Sequence, residues 1–598
     1  MNQIPQRLAA LRKEMSQRSI DVYMIPTSDF HETEYVGKHF KAREWMSNFS
    51  GSAGTLVVAK NEAALWTDGR YFIQAERELK DTGIQLMKMG MEETPLMADY
   101  ILDHLEEGHA LGFDGRVVNT KLAEALHAKI AAKQGVIHCD EDLVGLIWED
   151  RPPLPKEQAF TLDIAYCGVS TGEKLGRLRE WMRERTLDVH ILTSLDDIAW
   201  YLNMRGNDIA GFPVALAYLI VEADRVTCFM DQDKLNEELR ERFAKEGITV
   251  NDYEAIYDVI PQLDKHAHIL MDKGTVNYRI TQSLPCGVKI NDQRNPSQLW
   301  KAIKNDVELQ NNRIAHIKDG VAVTKFMYWL KQNIKTMTIT EASAAQRLTE
   351  FRQEQEHWID CSFGTISAYN ENAAMMHYQA DEKTAATLRP EGFLLVDSGG
   401  QYFEGTTDIT RTFVLGSISE RQRRHFTNVL RGMMNLSRAK FLYGCRGMNL
   451  DILARQPMWS EGIDYQCGTG HGVGFVLNVH EGPNGFRWKQ VPERIDTAVL
   501  EAGMVTTIEP GIYLEGEYGI RTENELICRK GVKNEYGQFM EFETITFAPI
   551  DLDGIDPTLL SNEEKAWLNA YHQEVYEKLS PYLNEEVCEW LKEYTRAI

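Results

Sequence analysis

Residues 392–414 read GFLLVDSGGQYFEGTTDITRTFV, two apolar strand-like runs separated by a glycine-rich turn. Asp397 ends the first run and Asp408 opens the second, 11 residues later. A buried charge must be paired or bind a metal, so a carboxylate at the end of an apolar strand needs a partner. Two strands joined by this turn can place both carboxylates side by side, with a cation offsetting their repulsion. The alternative is a strand-end aspartate turned to solvent, and the spacing alone does not decide between them.

Three further candidates lie downstream. His471 stands between glycines in Gly468–Gly474, and glycine lets backbone or substrate approach closely. Glu509 follows the apolar run 505–508, and Glu523 begins another run. Each acid alone is better explained as structural. Together, two aspartates, one histidine and two glutamates form a hard, oxygen-rich ligand set, which suits a pair of Mn²⁺-like ions better than a thiolate zinc site does.

Composition and charge exclude several classes of protein. The chain has 598 residues, of which 43% are hydrophobic and 26% charged, so collagen, coiled coil and wholesale disorder are excluded. The formal charge is 65 minus 89, or −24, which argues against general nucleic-acid binding. The nine cysteines lie at least 22 residues apart, as expected for reduced thiols in a cytosol. We find no signal-peptide core, and the longest apolar run, 214–221, is far short of the ~20 residues needed to span a bilayer. These features predict a soluble cytoplasmic protein with no membrane partner.

The first half of the chain predicts two α/β domains. Short apolar runs alternate with helical stretches up to a proline-rich boundary at Arg151–Pro155. The motif Trp-x-x-Asn-x-x-Gly begins at Trp45 and again at Trp200, 155 residues later, and each copy is followed by two apolar runs. The matching order of elements indicates a duplicated domain.

The second half predicts a larger α+β domain. A boundary near Asn295–Ser297 precedes one long helix, expected from Leu299 to about Lys331. Its apolar face is predicted to comprise Ile303, Val307, Leu309, Ile314, Ile317, Val321 and Val323. We therefore expect domains at residues 1–153, 154–300 and 301–598.

These features resemble metallopeptidase family M24, the "pita-bread" fold, and within it the three-domain Xaa-Pro aminopeptidases (aminopeptidase P). The resemblance covers nearly the whole chain. It rests on Asp397–Thr412, Gly468–Gly474, Asn478–Pro483, Glu509–Gly511 and Gly519–Glu523, and in the front half on Gly51–Thr55, Trp66–Tyr71, Asp197–Trp200 and Arg205-Gly206. It implies two creatinase-type N-terminal domains followed by a pita-bread catalytic domain, and a homodimer.

The resemblance also implies a role for each site residue. Asp397 is expected to hold one Mn²⁺, Asp408 and Glu523 to bridge two ions, and His471 and Glu509 to complete the second site; Co²⁺, Fe²⁺ and Zn²⁺ are alternatives. A hydroxide between the ions would be the nucleophile. Glu509 would shuttle the proton, His377 and His480 would position the substrate and stabilise the oxyanion, and Arg521 would bind substrate or orient the site. The reaction would remove the N-terminal residue from peptides with proline second.

The sequence departs from the family pattern at one position, and two alternative functions stay open. The family commonly has a histidine four residues before the metal histidine, where this chain has Cys467. A small buried thiol is the simpler interpretation, and an altered pH profile the sharper one. The alternative functions are a prolidase that cleaves Xaa-Pro dipeptides and a non-catalytic pita-bread module that binds peptides or proteins.

Overall fold

The computed structural model describes residues 3–490 and 497–598, which form two compact units. Unit 1 comprises Met1–Thr161, Val169–Ile209 and Val214–Ser297. Unit 2 comprises Leu162–Gly168, Ala210–Pro213 and Gln298–Ile598. The three domain boundaries expected from the sequence stay a prediction.

The α-helices are α1 Ile4–Gln17, α2 Ala42–Ser47, α3 Phe72–Glu78, α4 Met97–His104, α5 Thr120–Ile130, α6 Leu143–Ile147, α7 Ile164–Cys167, α8 Thr171–Glu184, α9 Leu195–Leu202, α10 Glu237–Glu246, α11 Ile256–Val259, α12 Tyr278–Gln282, α13 Ser297–Ala302, α14 Asp306–Asn333, α15 Glu341–Gln353, α16 Glu420–Ser437, α17 Gly447–Trp459, α18 Asn562–Leu579 and α19 Glu585–Tyr594.

The strands are β1 Ile20–Pro26, β2 Thr55–Ala59, β3 Ala63–Thr67, β4 Gln85–Lys88, β5 Ala110–Gly112, β6 Val136–His138, β7 Phe160–Thr161, β8 Val189–Leu192, β9 Met204–Arg205, β10 Tyr218–Glu222, β11 Val226–Phe229, β12 Ile248–Asn251, β13 His268–Met271, β14 Lys289–Asp292, β15 Trp358–Cys361, β16 Ile366–Tyr369, β17 Phe393–Ser398, β18 Gly400–Tyr402, β19 Gly405–Thr406, β20 Ile409–Val414, β21 Lys440–Leu442, β22 Gly470–Gly472, β23 Glu481–Phe486, β24 Val505–Ile508, β25 Gly511–Leu514, β26 Tyr518–Arg521, β27 Asn524–Asn534 and β28 Gly537–Thr544.

Unit 1 contains two six-stranded sheets of the same topology. Their strand orders are β4-β3-β2-β1-β5-β6 and β12-β11-β10-β8-β13-β14. In each sheet the central strand, β1 or β8, pairs antiparallel on one side and parallel on the other. The edge strands are all parallel to their neighbours. The same order and directions confirm the predicted duplication.

The repeated Trp-x-x-Asn motif has the same structural role in both copies. Asn48 ends α2 with φ of 65°, and Asn203 ends α9 with φ of 43°, so both residues lie in the left-handed region. Asparagine is one of the few residues that adopt this conformation readily at a helix end. The motif therefore marks a turn that both halves of unit 1 need.

The first helix, α1, is amphipathic. Ile4, Leu8, Leu11 and Met15 recur every three or four residues on α1, and all four are buried in one core cluster of unit 1. That spacing places them on one face of the helix.

Unit 2 is built around two sheets that carry the candidate site. The smaller has the order β16-β17-β20, and the larger β21-β28-β27-β24-β22-β23. The two apolar runs around the glycine-rich turn are β17 and β20, which pair antiparallel with Asp397 opposite Thr410. Two small sheets, β15-β18-β19 and β25-β26, complete the strands. The largest core cluster of the unit includes residues of α16, α17 and α18.

The long helix predicted from Leu299 is wrong in two respects. The chain forms two helices, α13 and α14, because Asn305 caps α14 by accepting hydrogen bonds from two backbone N–H groups. Val307 and Ile314 of the predicted apolar face are more than one-third exposed. Val321 and Val323 of that face are buried as predicted, but nearer the start of α14 the buried residues are mostly polar: Glu308, Asn312, His316 and Asp319. Hydrophobic periodicity misses such a face because its polar groups find distant partners, as the Asp319–Arg352 ion pair shows.

All nine cysteines are free thiols. Among the described helices we find none with both the length and the apolar character needed to cross a membrane.

Candidate metal centre

Asp397 ends the apolar strand β17 and is buried. Only 8% of the residue is exposed, which contradicts the alternative of a solvent-facing aspartate. Its Oδ2 accepts a hydrogen bond of 2.6 Å from Nη2 of Arg521. Its Oδ1 is buried and accepts no hydrogen bond from any described residue. One oxygen of this carboxylate is therefore fixed, and the other is left for a further partner.

Asp408 immediately precedes β20 and is also buried. Its backbone N–H donates a 2.7 Å hydrogen bond to Oε1 of Glu525. Its Oδ2 lies 3.4 Å from Nε2 of His471. Its Oδ1, like that of Asp397, is buried and has no hydrogen-bond donor among the described residues.

The glycines around His471 are required by close backbone packing. A Cβ on Gly470 would lie 2.0 Å from the carbonyl oxygen of Thr507, and one on Gly472 would lie 2.2 Å from that of Glu481. The Nδ1 of His471 lies 2.9 Å from the carbonyl oxygen of Gly472, which makes Nδ1–H the donor. That tautomer leaves the Nε2 lone pair free to act as a ligand.

The two glutamates complete the group from neighbouring strands. Glu509 follows β24, and its Oε1 lies 3.5 Å from Nε2 of His471. Its side chain is 22% exposed, so it faces the more open side of the group. Glu523 lies between β26 and β27 and is buried, with Oε2 accepting a 2.6 Å hydrogen bond from Oγ1 of Thr410.

The structure brings three of the five predicted ligand residues into one group. One ligand atom each of Asp408, His471 and Glu523 lies within 4.8 Å of the other two. Burial raises the pKa of Asp408 well above its usual range, and the nearby Asp397 and Glu509 carboxylates raise it further. Burial likewise raises the pKa of Glu523 well above its usual range, and the Asp408 and Glu509 carboxylates raise it further. A cation among these groups would reverse the effect by stabilising the ionised carboxylates.

The donor set therefore fits divalent metal ions. Two buried carboxylate oxygens without donors, an imidazole with a free Nε2, and mutually repelling carboxylates all call for positive charge at one place. Oxygen-rich sites with imidazole suit hard or intermediate divalent ions. None of the chain's thiols is needed for such a site.

Arg521 is hydrogen-bonded to several residues in and around the group. It is buried, and its guanidinium donates to Asp397, to Oγ1 of Thr410 at 3.2 Å and to the hydroxyl of Tyr513 at 2.8 Å. Because Thr410 also donates to Glu523, Arg521 and Thr410 together connect two of the predicted ligands.

The two other predicted histidines, His480 and His377, lie on separate segments near the group. The ring of His480 makes an edge-to-face contact with that of His471, with centroids 4.3 Å apart. His377 is half-buried in the turn after residues 370–374, and the preceding carbonyl, of Met376, lies 3.4 Å from Nη2 of Arg521. Both histidines therefore belong to segments that contact the group.

Cys467 lies near the same group. The residue is partly buried against the large core cluster of unit 2. Burial, with the Glu509 carboxylate nearby, raises the pKa of its thiol to about 12, so the thiol is protonated at neutral pH. The hypothesis that Cys467 alters the pH dependence of the reaction rate is tested by comparing the pH–rate curves of the native protein and Cys467→His.

The site residues predicted from the sequence do not include Thr410, Glu525 and His316. Glu525 is fully buried, with Oε1 on the Asp408 N–H and Oε2 3.2 Å from Nε2 of His316. A signal was available for Glu525, because residues two apart in a strand share a face and Glu523 was already a candidate. His316 had none, since it lies on a helix more than 200 residues earlier.

A second group of possible ligands lies in unit 1 but is already neutralised. Asp21, Glu106 and His109 lie close together. The ammonium of Lys60 lies 3.0 Å from Asp21 and 2.6 Å from Glu106, so a cation is built into the group.

Comparison with known proteins identifies the family. "Metallopeptidase family M24" matches residues 310–530, "C-terminal region of peptidase_M24" matches 538–598, and "Creatinase/Prolidase N-terminal domain" matches both 7–146 and 150–308. A probable Xaa-Pro aminopeptidase P of Paracoccidioides lutzii is 37% identical over 99% of both chains. Aminopeptidase P2 of Arabidopsis thaliana is 38% identical over 100% of this chain and 89% of its own.

A solved structure extends the likeness to the whole fold. The X-prolyl aminopeptidase of Caenorhabditis elegans, described as a cytosolic enzyme with a di-nuclear active site, is 33% identical and covers 100% of both chains with a TM-score of 0.93. The chain therefore belongs to metallopeptidase family M24 and, within it, to the Xaa-Pro aminopeptidases that carry two creatinase-type domains before the catalytic domain.

Proposed function

We propose that this chain is a metal-dependent aminopeptidase that removes the N-terminal residue from peptides with proline at the second position. The observation that carries the proposal is the group of Asp408, His471 and Glu523, with ligand atoms within 4.8 Å of one another. Full-length similarity to Xaa-Pro aminopeptidases supports the substrate class.

Five residues would hold two divalent ions: Asp397, Asp408, His471, Glu509 and Glu523. Asp408 and Glu523 are our candidates for ligands shared by both ions, since they are among the most deeply buried of the five. When bound, the ions would activate water as a nucleophile and polarise the scissile carbonyl. We propose Mn²⁺ as the ion, because four carboxylates and one imidazole favour hard over thiophilic metals.

Glu509 is the proposed proton shuttle. Its Oε1 is within 3.5 Å of the His471 ring, and its side chain is more exposed than those of Asp397 and Asp408. A partly exposed carboxylate at the mouth of the group can take a proton from the attacking water and return it to the leaving nitrogen.

His480 and His377 are the proposed substrate residues. The edge-to-face contact between His480 and His471 places the His480 ring beside the ligand group. Its N–H can stabilise the oxyanion that forms at the scissile carbonyl. His377 is proposed to act from the facing loop, next to the carbonyl that contacts Arg521.

Proline explains the need for such a site. A peptide bond to proline has a fixed φ and no N–H, so proteases that bind substrates as extended strands lose a hydrogen-bond donor. A site that orients the substrate through its carbonyl and N-terminus does not depend on that donor.

A tripeptide test separates this function from the alternatives. The enzyme, supplied with Mn²⁺, is incubated with Xaa-Pro-Yaa and separately with Xaa-Pro. Release of free Xaa from the tripeptide is the expected result. Cleavage of the dipeptide alone would indicate a prolidase, and no cleavage with any divalent ion would indicate a non-catalytic module.

Location and assembly are also proposals. We place the protein in the cytosol, in line with the free thiols and the C. elegans relative. We propose that it forms a homodimer through the exposed apolar face of α17, which carries Ile452, Leu453 and Trp459. The proposed domain boundaries are residues 1–153, 154–300 and 301–598.

A further inference from the structure

The loop that carries His377 is long and has little regular structure of its own. It joins β16 to β17 across residues 370–392, with one short helical turn at Asn370–Ala374. Ordering a loop of this length costs conformational entropy, so it needs specific contacts to hold one conformation.

One buried carboxylate, that of Glu341, contacts this loop and its flank at four points. The residue is 0% exposed and opens α15. Its Oε1 accepts from the Tyr369 N–H at 2.7 Å and from the Asn372 amide at 2.9 Å. Its Oε2 accepts from the Tyr378 hydroxyl and the Ala386 N–H, both at 2.8 Å.

These four hydrogen bonds use the full capacity of the carboxylate. An ionised carboxylate offers about four acceptor sites and no donor. All four partners are neutral donors, two to each carboxylate oxygen of Glu341. The four bonds tie the start, middle and end of the segment 369–386 to one carboxylate. The two ends of the loop are therefore held together, and we call this segment the closed loop.

The closed loop is held against the site. Tyr378, which bonds to Glu341, is the residue next to His377. The carbonyl of Met376 contacts Arg521, whose guanidinium binds Asp397. A Cβ on Gly519 would lie 1.9 Å from the carbonyl oxygen of Ala373, so the loop backbone packs directly on β26.

We propose that Glu341 is a positioning residue for the reaction: it fixes the 369–386 loop so that His377 faces the substrate. Among the described residues, the hydrogen bonds of Glu341 go to this loop and its flank, so it acts through the loop. The inference rests on the proposed role of His377 in binding substrate.

The test uses Glu341→Gln, which keeps the size of the side chain. Glutamine has one acceptor oxygen and a donor NH₂ group, so one pair of loop donors loses its acceptor. Glu354→Gln is the matched control, since Glu354 is exposed just beyond the far end of the same helix. Tyr378→Phe removes the hydroxyl next to His377, and with it the bond to Glu341 and the 3.4 Å bond from the Asn372 amide.

Hydrogen exchange of the Mn²⁺-loaded enzyme reports on the loop directly. Glu341→Gln should speed amide exchange within residues 369–386, while Glu354→Gln should leave it at the wild-type rate. Unchanged exchange in Glu341→Gln would overturn the proposal, whatever its activity.

Kinetics then separate positioning from general damage. Glu341→Gln should lower kcat/KM for an Xaa-Pro-Yaa peptide by about 10- to 100-fold, as small misplacements of substrate-positioning groups do. Tyr378→Phe should give a smaller loss. In a His377→Ala background, Glu341→Gln should add less than threefold, because its effect passes through His377.

Two outcomes would contradict the inference for different reasons. Losses that multiply in the double variant would show that Glu341 acts independently of His377. Wild-type turnover by His377→Ala would show that the proposed substrate role of His377 is wrong, and the positioning role would fall with it. The exchange data distinguish these cases, since they depend on the loop and not on His377.

Discussion

Asp408 and Glu523 are the residues on which the proposed metal centre would depend most. Both are buried, and burial raises the pKa of both carboxyl groups, with the neighbouring carboxylates raising it further. We predict that Asp408→Ala or Glu523→Ala lowers kcat/KM by several orders of magnitude and reduces the metal bound per chain, because each removes a ligand that both ions would share.

The control for these variants is Glu589→Ala, which removes an exposed carboxylate from α19. It should retain wild-type turnover and metal content, as measured by steady-state kinetics and elemental analysis. Near-native turnover in Asp408→Ala or Glu523→Ala would contradict a two-ion site.

We predict that the buried His190 makes the free energy of unfolding depend on pH. It is fully buried on β8, and burial lowers its pKa to about 4 from a reference of 6.5. The unfolded chain therefore binds a proton between these pH values that the folded chain does not. Stability from this residue is fully present above pH 6.5 and is lost as the pH falls towards 4.

His190→Gln should remove this part of the acid sensitivity. We expect its free energy of unfolding to fall less than that of the wild type between pH 7 and pH 5, by about 2 kcal/mol. Denaturant unfolding at both pH values measures the difference. Equal losses in the two proteins would show that His190 is protonated in the folded state.

At the scale of elements, the strand β22 is the most constrained part of the site. Gly472→Ala would place a Cβ 2.2 Å from the carbonyl of Glu481 on the paired strand β23. We predict a loss of about 1–3 kcal/mol in stability from the forced shift. Activity should fall as well, because His471 moves with the strand.

The matched substitution is Gly176→Ala, in the interior of α8. Beyond the backbone of α8 itself, no atom of the described residues lies within 4 Å of its added Cβ, so stability should rise by about 0.5–1 kcal/mol with unchanged activity. Thermal unfolding and peptide cleavage measure both variants. A Gly472→Ala enzyme as stable and active as the wild type would show that β22 can shift without cost.

Elements also show what sequence could and could not predict. The candidate ligand residues could be singled out because acids and a histidine at the ends of apolar runs or between glycines are local signals, but their roles as ligands came from the family resemblance and stay predictions. The duplication was predictable because one motif recurs with the same flanking runs. The polar face of α14 and the role of Glu341 were not, since their partners lie on other elements, 28 to 45 residues away for Glu341.

At the scale of the whole molecule, α17 presents an apolar surface that a second copy could cover. Ile452 is 41% exposed and Leu453 and Trp459 are each 37% exposed. The Trp459 ring also makes an edge-to-face contact with Trp488, which is 43% exposed. Contiguous exposed apolar groups of this kind usually mark an interface.

We predict that sedimentation of the wild-type protein gives the mass of a dimer. Ile452→Glu combined with Leu453→Glu should give a monomer, because it places two charges in the interface. Val532→Glu, at a more exposed apolar position on a separate hairpin, should leave the dimer intact. A monomeric wild type, or a dimer in the double variant, would contradict this interface.

Metal titration of the enzyme tests the central claim most directly. The protein is stripped of metal with a chelator, Mn²⁺ is added stepwise, and release of Xaa from Xaa-Pro-Yaa is measured at each step. We predict negligible release without metal and a rise to a plateau at two ions per chain. Full turnover by the stripped enzyme, or a plateau at one ion, would contradict a two-metal Xaa-Pro aminopeptidase.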